Sequence, residues 1–188
     1  MRKTAVFLTY LALCLVSFSS HAESSLQWLS GYNGKKTASV VADKRFRVFL
    51  QDAVPDFLGD FGFGARGLKL GLRNALLEVL GGPSDPVFYP DKDSVTLSAC
   101  RYQSCAEKGF MWIDITHQQS VFAIIHYIYQ GEFFHNKPQM FLASANFKCD
   151  AYPDAAQERI KIWLMLNDLT PEAVRCLEDK TVRPLTWN

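Results

Sequence analysis

Between Ser94 and Phe147 apolar and polar side chains alternate with a period of two in four runs: Ser94 to Cys100, Phe110 to Ile115, Val121 to Tyr129 and Pro138 to Phe147. Runs of that period are strands, and the breaks at 101–109, 116–120 and 130–137 are short enough to join neighbours. The pattern therefore predicts an antiparallel meander. In the third run both alternating sets, Val121/Ala123/Ile125/Tyr127 and Phe122/Ile124/His126/Ile128, are mostly apolar, which makes it a central strand covered on both faces. Helices must supply the cover. One is predicted over Leu68 to Leu80, where Leu72, Leu76, Leu77, Val79 and Leu80 fall at helical spacing before the stop signal Gly81-Gly82-Pro83. The other runs from Asp154 to Asn167, with Ala156, Ile160, Trp163 and Leu164 in a stripe. The fold class expected is α+β, a central antiparallel sheet with flanking helices.

Elsewhere the pattern is weaker. Residues 23–44 carry Gly31, Asn33, Gly34, Lys35 and Lys36 and read as a loose arm, whereas Phe46 to Leu50 suits a helix or a strand equally. Pro55, Gly59, Gly62, Gly64 and Gly67 then interrupt regular structure. A helical extension is expected from about residue 148, its second helix opened by Thr170-Pro171-Glu172, a cap followed by proline at the first helical position. No repeat, linker or low-complexity tract divides residues 23–188, which read as a single domain.

The first residues point to export. Arg2 and Lys3 precede an apolar run of 14 residues, Ala5 to Phe18, that closes on Ser20-His21-Ala22. That is short of the ~20 residues of a spanning helix and has the small-residue end of a signal peptide, here residues 1–22. Cys14 would suit a lipoprotein, but Leu13 before it and Leu15-Val16 after it argue against that alternative. The expected location is the periplasm, with no later stretch long enough to span a membrane. Of 20 basic side chains in the 188 residues, two leave with the signal, so 18 remain against 19 acidic ones. A balance this even offers no surplus to neutralise a phosphate backbone, so nucleic acid is not an expected partner.

Cleavage also removes Cys14 and leaves Cys100, Cys105, Cys149 and Cys176. Four cysteines in an oxidising compartment suggest two disulfides, with three pairings open to counting alone. Local structure favours one of them. A helical hairpin would fold Cys176 back toward Cys149, leaving Cys100 and Cys105 to close a ring around four residues. That small ring stabilises by only about 2 kcal/mol, against about 3.5 kcal/mol for the longer loop, on the chain-entropy account.

The search for catalytic and cofactor chemistry is mostly negative. Gly62-Phe63-Gly64-Ala65-Arg66-Gly67 has the letters of a dinucleotide fingerprint, but an antiparallel pattern follows it instead of a parallel strand-loop-helix unit, so a glycine-rich turn is expected. His117, His126 and His135 stand nine residues apart, which matches no zinc-ligand spacing. Asp91-Lys92-Asp93 lacks the later glycine and glutamate of a calcium loop and reads as a polar turn. There is no Gly-x-Ser-x-Gly elbow, and oxidised cysteines supply no thiolate. Glu107, Asp114 and Glu132 are the carboxylates a hydrolase would need to bring together across a cleft. The expectation is a protein without catalytic residues, metal or cofactor.

What remains is the ring Cys100-Arg101-Tyr102-Gln103-Ser104-Cys105 at the end of the first strand. Arg101 is a fork of charged donors, Tyr102 a rigid amphipathic surface, and Gln103 and Ser104 both donate and accept hydrogen bonds. Cross-linking the ends spares a partner the ordering of that backbone. These four residues are the candidate partner-binding site.

Three stretches resemble the Ivy-type periplasmic inhibitors of vertebrate (C-type) lysozyme. Gly81-Gly82-Pro83-Ser84-Asp85-Pro86 followed by Val95 to Cys100 is similar to the family's Gly-Gly segment and its strand ending Ser-Ala-Cys. Cys100 to Cys105 matches its six-residue disulfide loop, and Met111-Trp112 its Met-Trp in the next strand, while Lys137 to Ala145 looks like a later strand. The resemblance spans roughly Leu72 to Phe147 and implies a central antiparallel sheet with packed helices. It also implies a loop that enters the lysozyme cleft, where a loop histidine meets the catalytic carboxylates. The family loop reads Cys-Lys-Pro-His-Asp-Cys. Here Arg101 keeps the positive charge, Tyr102 replaces the proline, Gln103 the histidine and Ser104 the acid. A neutral amide contact from Gln103 is worth about 0.5–1.5 kcal/mol instead of the ~1.5–3 kcal/mol of a charge-assisted bond. The expected partner is a C-type lysozyme or another muramidase, met by Arg101 and Gln103. The rival reading is a non-inhibitory structural or assembly protein of the envelope that keeps the fold.

Overall fold

The structure is a computed structural model and describes residues 26–63, 68–127 and 137–187. The signal peptide expected over 1–22 with Cys14, most of the glycine-rich turn at 64–67, His135, Glu132 and the end of the third apolar run lie outside these residues.

The four alternating runs form four neighbouring antiparallel strands, β3 (Ser94–Arg101), β4 (Ser104–Asp114), β5 (Gln119–His126) and β6 (Gln139–Ala143). β5 is buried from Ser120 to His126, as expected of a strand with two apolar faces. The faces carry separate cores. Val95, Leu97, Met111, Ile113, Phe122, Ile124 and Phe141 point to one side, against Leu72, Leu76 and Leu80 of α3 (Leu72–Leu80). Phe110, Trp112, Val121, Ala123, Ile125 and Met140 point to the other, against Ala156, Ile160 and Trp163 of α4 (Asp154–Leu166). The protein is thus an α+β fold, its sheet sandwiched between helices, and among the described residues no helix is long and apolar enough to cross a membrane.

Two expectations fail, each to a tertiary contact. Thr170-Pro171-Glu172 opens no helix: residues Ala173–Glu178 form β7, parallel to β6, and β8 (Thr181–Pro184) returns antiparallel beside it. The sheet therefore has six strands, and the extension from about 148 is helical only in α4. β6 is buried on both faces, so its second edge needs a partner, and that pairing overrides the local cap signal. Asp179 and Lys180 turn the hairpin with φ of 49° and 63°, the geometry of a two-residue turn with both centres left-handed.

The loose N-terminal arm is the second correction. Leu26–Tyr32 form a 3-10 turn, α1 spans Thr37–Val41 and α2 Lys44–Ala53, and Leu26, Leu29, Val40, Phe46 and Leu50 are buried against the α3 side of the sheet. The polar residues around Gly34 are accommodated because the backbone pairs there: Gly34 N donates to Val87 O (2.9 Å), Val87 N to Lys35 O (2.7 Å) and Thr37 N to Asp85 O (3.0 Å). Leu58–Gly59 and Leu70–Gly71 make a small separate pair, β1 and β2, so the helix expected from Leu68 begins at Leu72.

Asp43 locks this corner. Its carboxylate accepts from Arg45 N (2.8 Å), the Arg45 guanidinium (2.6 Å) and the Tyr32 hydroxyl (2.8 Å), while Arg45 lies 4.5 Å over the Trp28 ring. Hydrogen bonds from the Arg45 side chain, then its backbone, then Tyr32 hold the Asp43 carboxyl well below the usual range. A carboxyl depressed in the folded state contributes stability that is complete above its unfolded value of about 4 and is lost as pH falls below it. Asp43→Asn is expected to flatten the acid limb. The urea midpoint should fall less between about pH 5 and about pH 2.5 in the variant than in the parent, and equal falls would refute the assignment.

Candidate functional site

The loop is the tip of the β3–β4 hairpin. The strands run in register from Ser94 opposite Asp114 to Cys100 opposite Lys108, and then the register jumps so that Arg101 faces Ser104. Cys105, Ala106 and Glu107 are thereby thrown out as a bulge, and the Cys100–Cys105 disulfide closes across it with Cα atoms 4.7 Å apart. Tyr102 and Gln103 make the turn, Gln103 with a φ of 64°, a left-handed conformation that a non-glycine residue adopts at some cost.

The hairpin is tied at its root by three groups. Gly82 N donates to Cys100 O (3.1 Å) and Cys100 N to Pro83 O (3.0 Å), so the segment after α3 runs beside the loop as an added partner. The Arg101 guanidinium donates to Glu107 Oε2 at 2.6 Å and to Phe63 O at 2.7 Å, and it lies 5.2 Å over the Phe63 ring. Glu107 is 8% exposed, so this ion pair is largely withdrawn from water.

Of the four residues expected to meet a partner, the structure therefore offers three. Tyr102 is 70% exposed at the apex, Gln103 is exposed and Ser104 partly so. Arg101 turns inward, because Glu107 in the bulge and the Phe63 carbonyl provide a charged and a neutral acceptor that the tip lacks. Glu107, Phe63 and Gly82 are supports that the sequence did not single out. Only Glu107 stood in a list of candidates, as a hydrolytic carboxylate, and its role is to anchor the loop's arginine. Lys108, opposite Cys100, is partly exposed and is a cation beside the loop.

The second pair is also bridged, Cys149–Cys176 with Cα atoms 6.0 Å apart, but it joins the segment before α4 to β7 and not to a helix. His117 closes a turn with Asp114, Nδ1 lying 2.8 Å from Oδ2, and His126 is wholly buried with its ring edge-on to Phe61 at 5.6 Å. Asp91 accepts from Asp93 N and Ser94 Oγ, both at 2.8 Å, which is the polar turn expected there.

No protein-family model matches this chain, and no curated protein and no solved structure is found to be similar to it.

Proposed function

We propose that this is a secreted, periplasmic, non-catalytic binding protein that docks on a protein partner through the Cys100–Cys105 hairpin. The favoured target is the active-site cleft of a C-type lysozyme or another muramidase, by resemblance to the Ivy-type inhibitors. One observation carries the reading: a tyrosine 70% exposed at the apex of a hairpin whose base is cross-linked and whose root is pinned by Arg101. An exposed, preorganised aromatic is the kind of anchor on which binding energy concentrates. The export signal in the sequence and the two bridged cysteine pairs support the compartment. Glu107 and Asp114 are committed to Arg101 and His117, which supports the non-catalytic reading.

With Arg101 occupied, contact with a target's carboxylates falls to the Gln103 amide. The purified protein with intact disulfides should inhibit C-type lysozyme at micromolar concentration, and Tyr102→Ala should weaken inhibition at least about tenfold, a hot-spot loss. Gln103→Ala should cost less, about 0.5–1.5 kcal/mol. Absence of inhibition at that concentration would overturn the lysozyme target. It would favour the second reading, a non-inhibitory structural or assembly protein of the envelope, for which the specific support is that the loop's only charge is neutralised from within.

A further inference from the structure

On the α4 side of the sheet, β3 presents Ser94, Thr96 and Ser98, side chains too short to reach the helix, and α4 packs over β4 instead. Over Thr96 and Ser98 lies a groove whose walls are the Asp85–Phe88 segment and the last two turns of α4. It has two compartments, about 290 and 490 Å3, the first near Phe88 and Arg159 and the second near Lys108 and the disulfide. Both are bordered by Asp85, Trp163 and Asn167, so they adjoin.

Its lining is specific in kind. Phe88 stands 54% exposed on one wall, and Trp163 and Phe110, 5.2 Å apart, form the other side. Between them the floor is Thr96 and Ser98, with the Ser98 hydroxyl held by Asp85 at 2.5 Å. The cations are Arg159 at one end and Lys36 and Lys108 at the other, against the single acid Asp85. In a chain whose formal charge is only +1, that is a local positive excess.

We propose that this groove is a binding site for a carboxylate-bearing oligosaccharide. The apolar face of a sugar ring packs on the exposed Phe88 ring, ring hydroxyls meet the hydroxyl floor, and carboxylates toward the two ends of the oligosaccharide meet Arg159 and Lys108. An acidic peptide would match the charge but would seek an open strand edge for its backbone. The edge of β3 here is taken by the bridges Ser84 to Ala99 and Phe88 to Thr96. The site is independent of the hairpin tip.

Calorimetric titration with hexagalacturonate, with chitohexaose as the neutral sugar and hexaglutamate as the acidic peptide, tests the proposal. Hexagalacturonate should bind at least about tenfold more tightly than either control and weaken as salt rises. Phe88→Ala and Arg159→Gln, at partly exposed positions, should each lower its affinity about tenfold with unchanged circular dichroism, and Tyr102→Ala should leave it unaltered. Lys108→Gln provides a second charge variant should Arg159→Gln fail to fold. Absence of heat at millimolar ligand, equal binding of chitohexaose, indifference to these substitutions, or tighter binding of hexaglutamate would each overturn it.

Discussion

Replacing Gly82 by alanine is expected to destabilise the protein by about 3 kcal/mol and, on the proposed function, to remove partner binding with it. A Cβ at this position would collide with the Cys100 carbonyl oxygen and stand 2.6 Å from Tyr102 N and 2.8 Å from the Arg101 carbonyl carbon. All three are backbone atoms of the loop, fixed by the disulfide and by the Gly82 to Cys100 hydrogen bond, so no rotamer change relieves the contact. Either the segment after α3 moves away from β3, losing its pairing from Gly82 to Phe88, or the loop is pushed outward. Gly109 gives the contrast. Its closest obstacles are side-chain atoms, a Val79 methyl first, then the Val79 Cβ at 3.1 Å and the Leu80 Cδ2 at 3.2 Å, so a methyl there meets side chains of α3 and not the backbone of a cross-linked loop. Gly109→Ala should therefore cost less than Gly82→Ala. Urea midpoints of both variants, read beside lysozyme inhibition, decide this; a Gly82→Ala midpoint equal to the parent's would mean that the close approach is not a constraint.

Gly82 also illustrates what the sequence discloses. Gly81-Gly82-Pro83 reads correctly as the end of α3, yet the reason for the second glycine is the backbone from Cys100 to Tyr102, 18 to 20 residues later. Strands β3 to β6 are legible because each alternates on its own, although β4 begins at Ser104, inside the break expected at 101–109, which shrinks to the turn at Tyr102 and Gln103. β7 is not, since Ala173–Glu178 becomes a strand only by lying against β6, while its local cap signal points to a helix. The pairing that closes the disulfide ring is the one expected, although the helical hairpin that argued for it is absent and Cys176 reaches Cys149 from β7. The direction of Arg101 is hidden, because its acceptors come from positions 6 and 38 residues away. The groove is equally hidden: short side chains on β3 show in the sequence, but that α4 stops over β4 does not.

Removing the Cys149–Cys176 bridge should produce the larger stability loss of the two disulfides, and removing Cys100–Cys105 the larger loss of binding. The first closes a separation of 27 residues and the second one of 5, so chain entropy assigns them about 3.5 and about 2 kcal/mol. In a chain of this size that corresponds to a fall in Tm of about 7–14 °C for Cys149→Ala/Cys176→Ala and about 4–8 °C for Cys100→Ala/Cys105→Ala. The structural consequences differ as well. Cys176 is wholly buried in β7, and Cys149 N also donates to Glu178 Oε2 (3.2 Å), the carboxylate that Arg183 of β8 grips. The bridge therefore pins the β7–β8 hairpin to the entry of α4, and freeing it leaves the edge of β6, with Met140, Phe141 and Leu142, open to pairing with another molecule. The Cys149/Cys176 variant is expected to aggregate on warming, visible as light scattering ahead of the loss of circular dichroism. The Cys100/Cys105 variant should stay monodisperse but bind its partner at least about tenfold more weakly, because the partner must then order the turn around Gln103 itself. A reversal of the two, with aggregation following loss of the small ring and binding following loss of the large one, would mean that the hairpin's rigidity is supplied by Arg101 and Gly82 without the sulfur link.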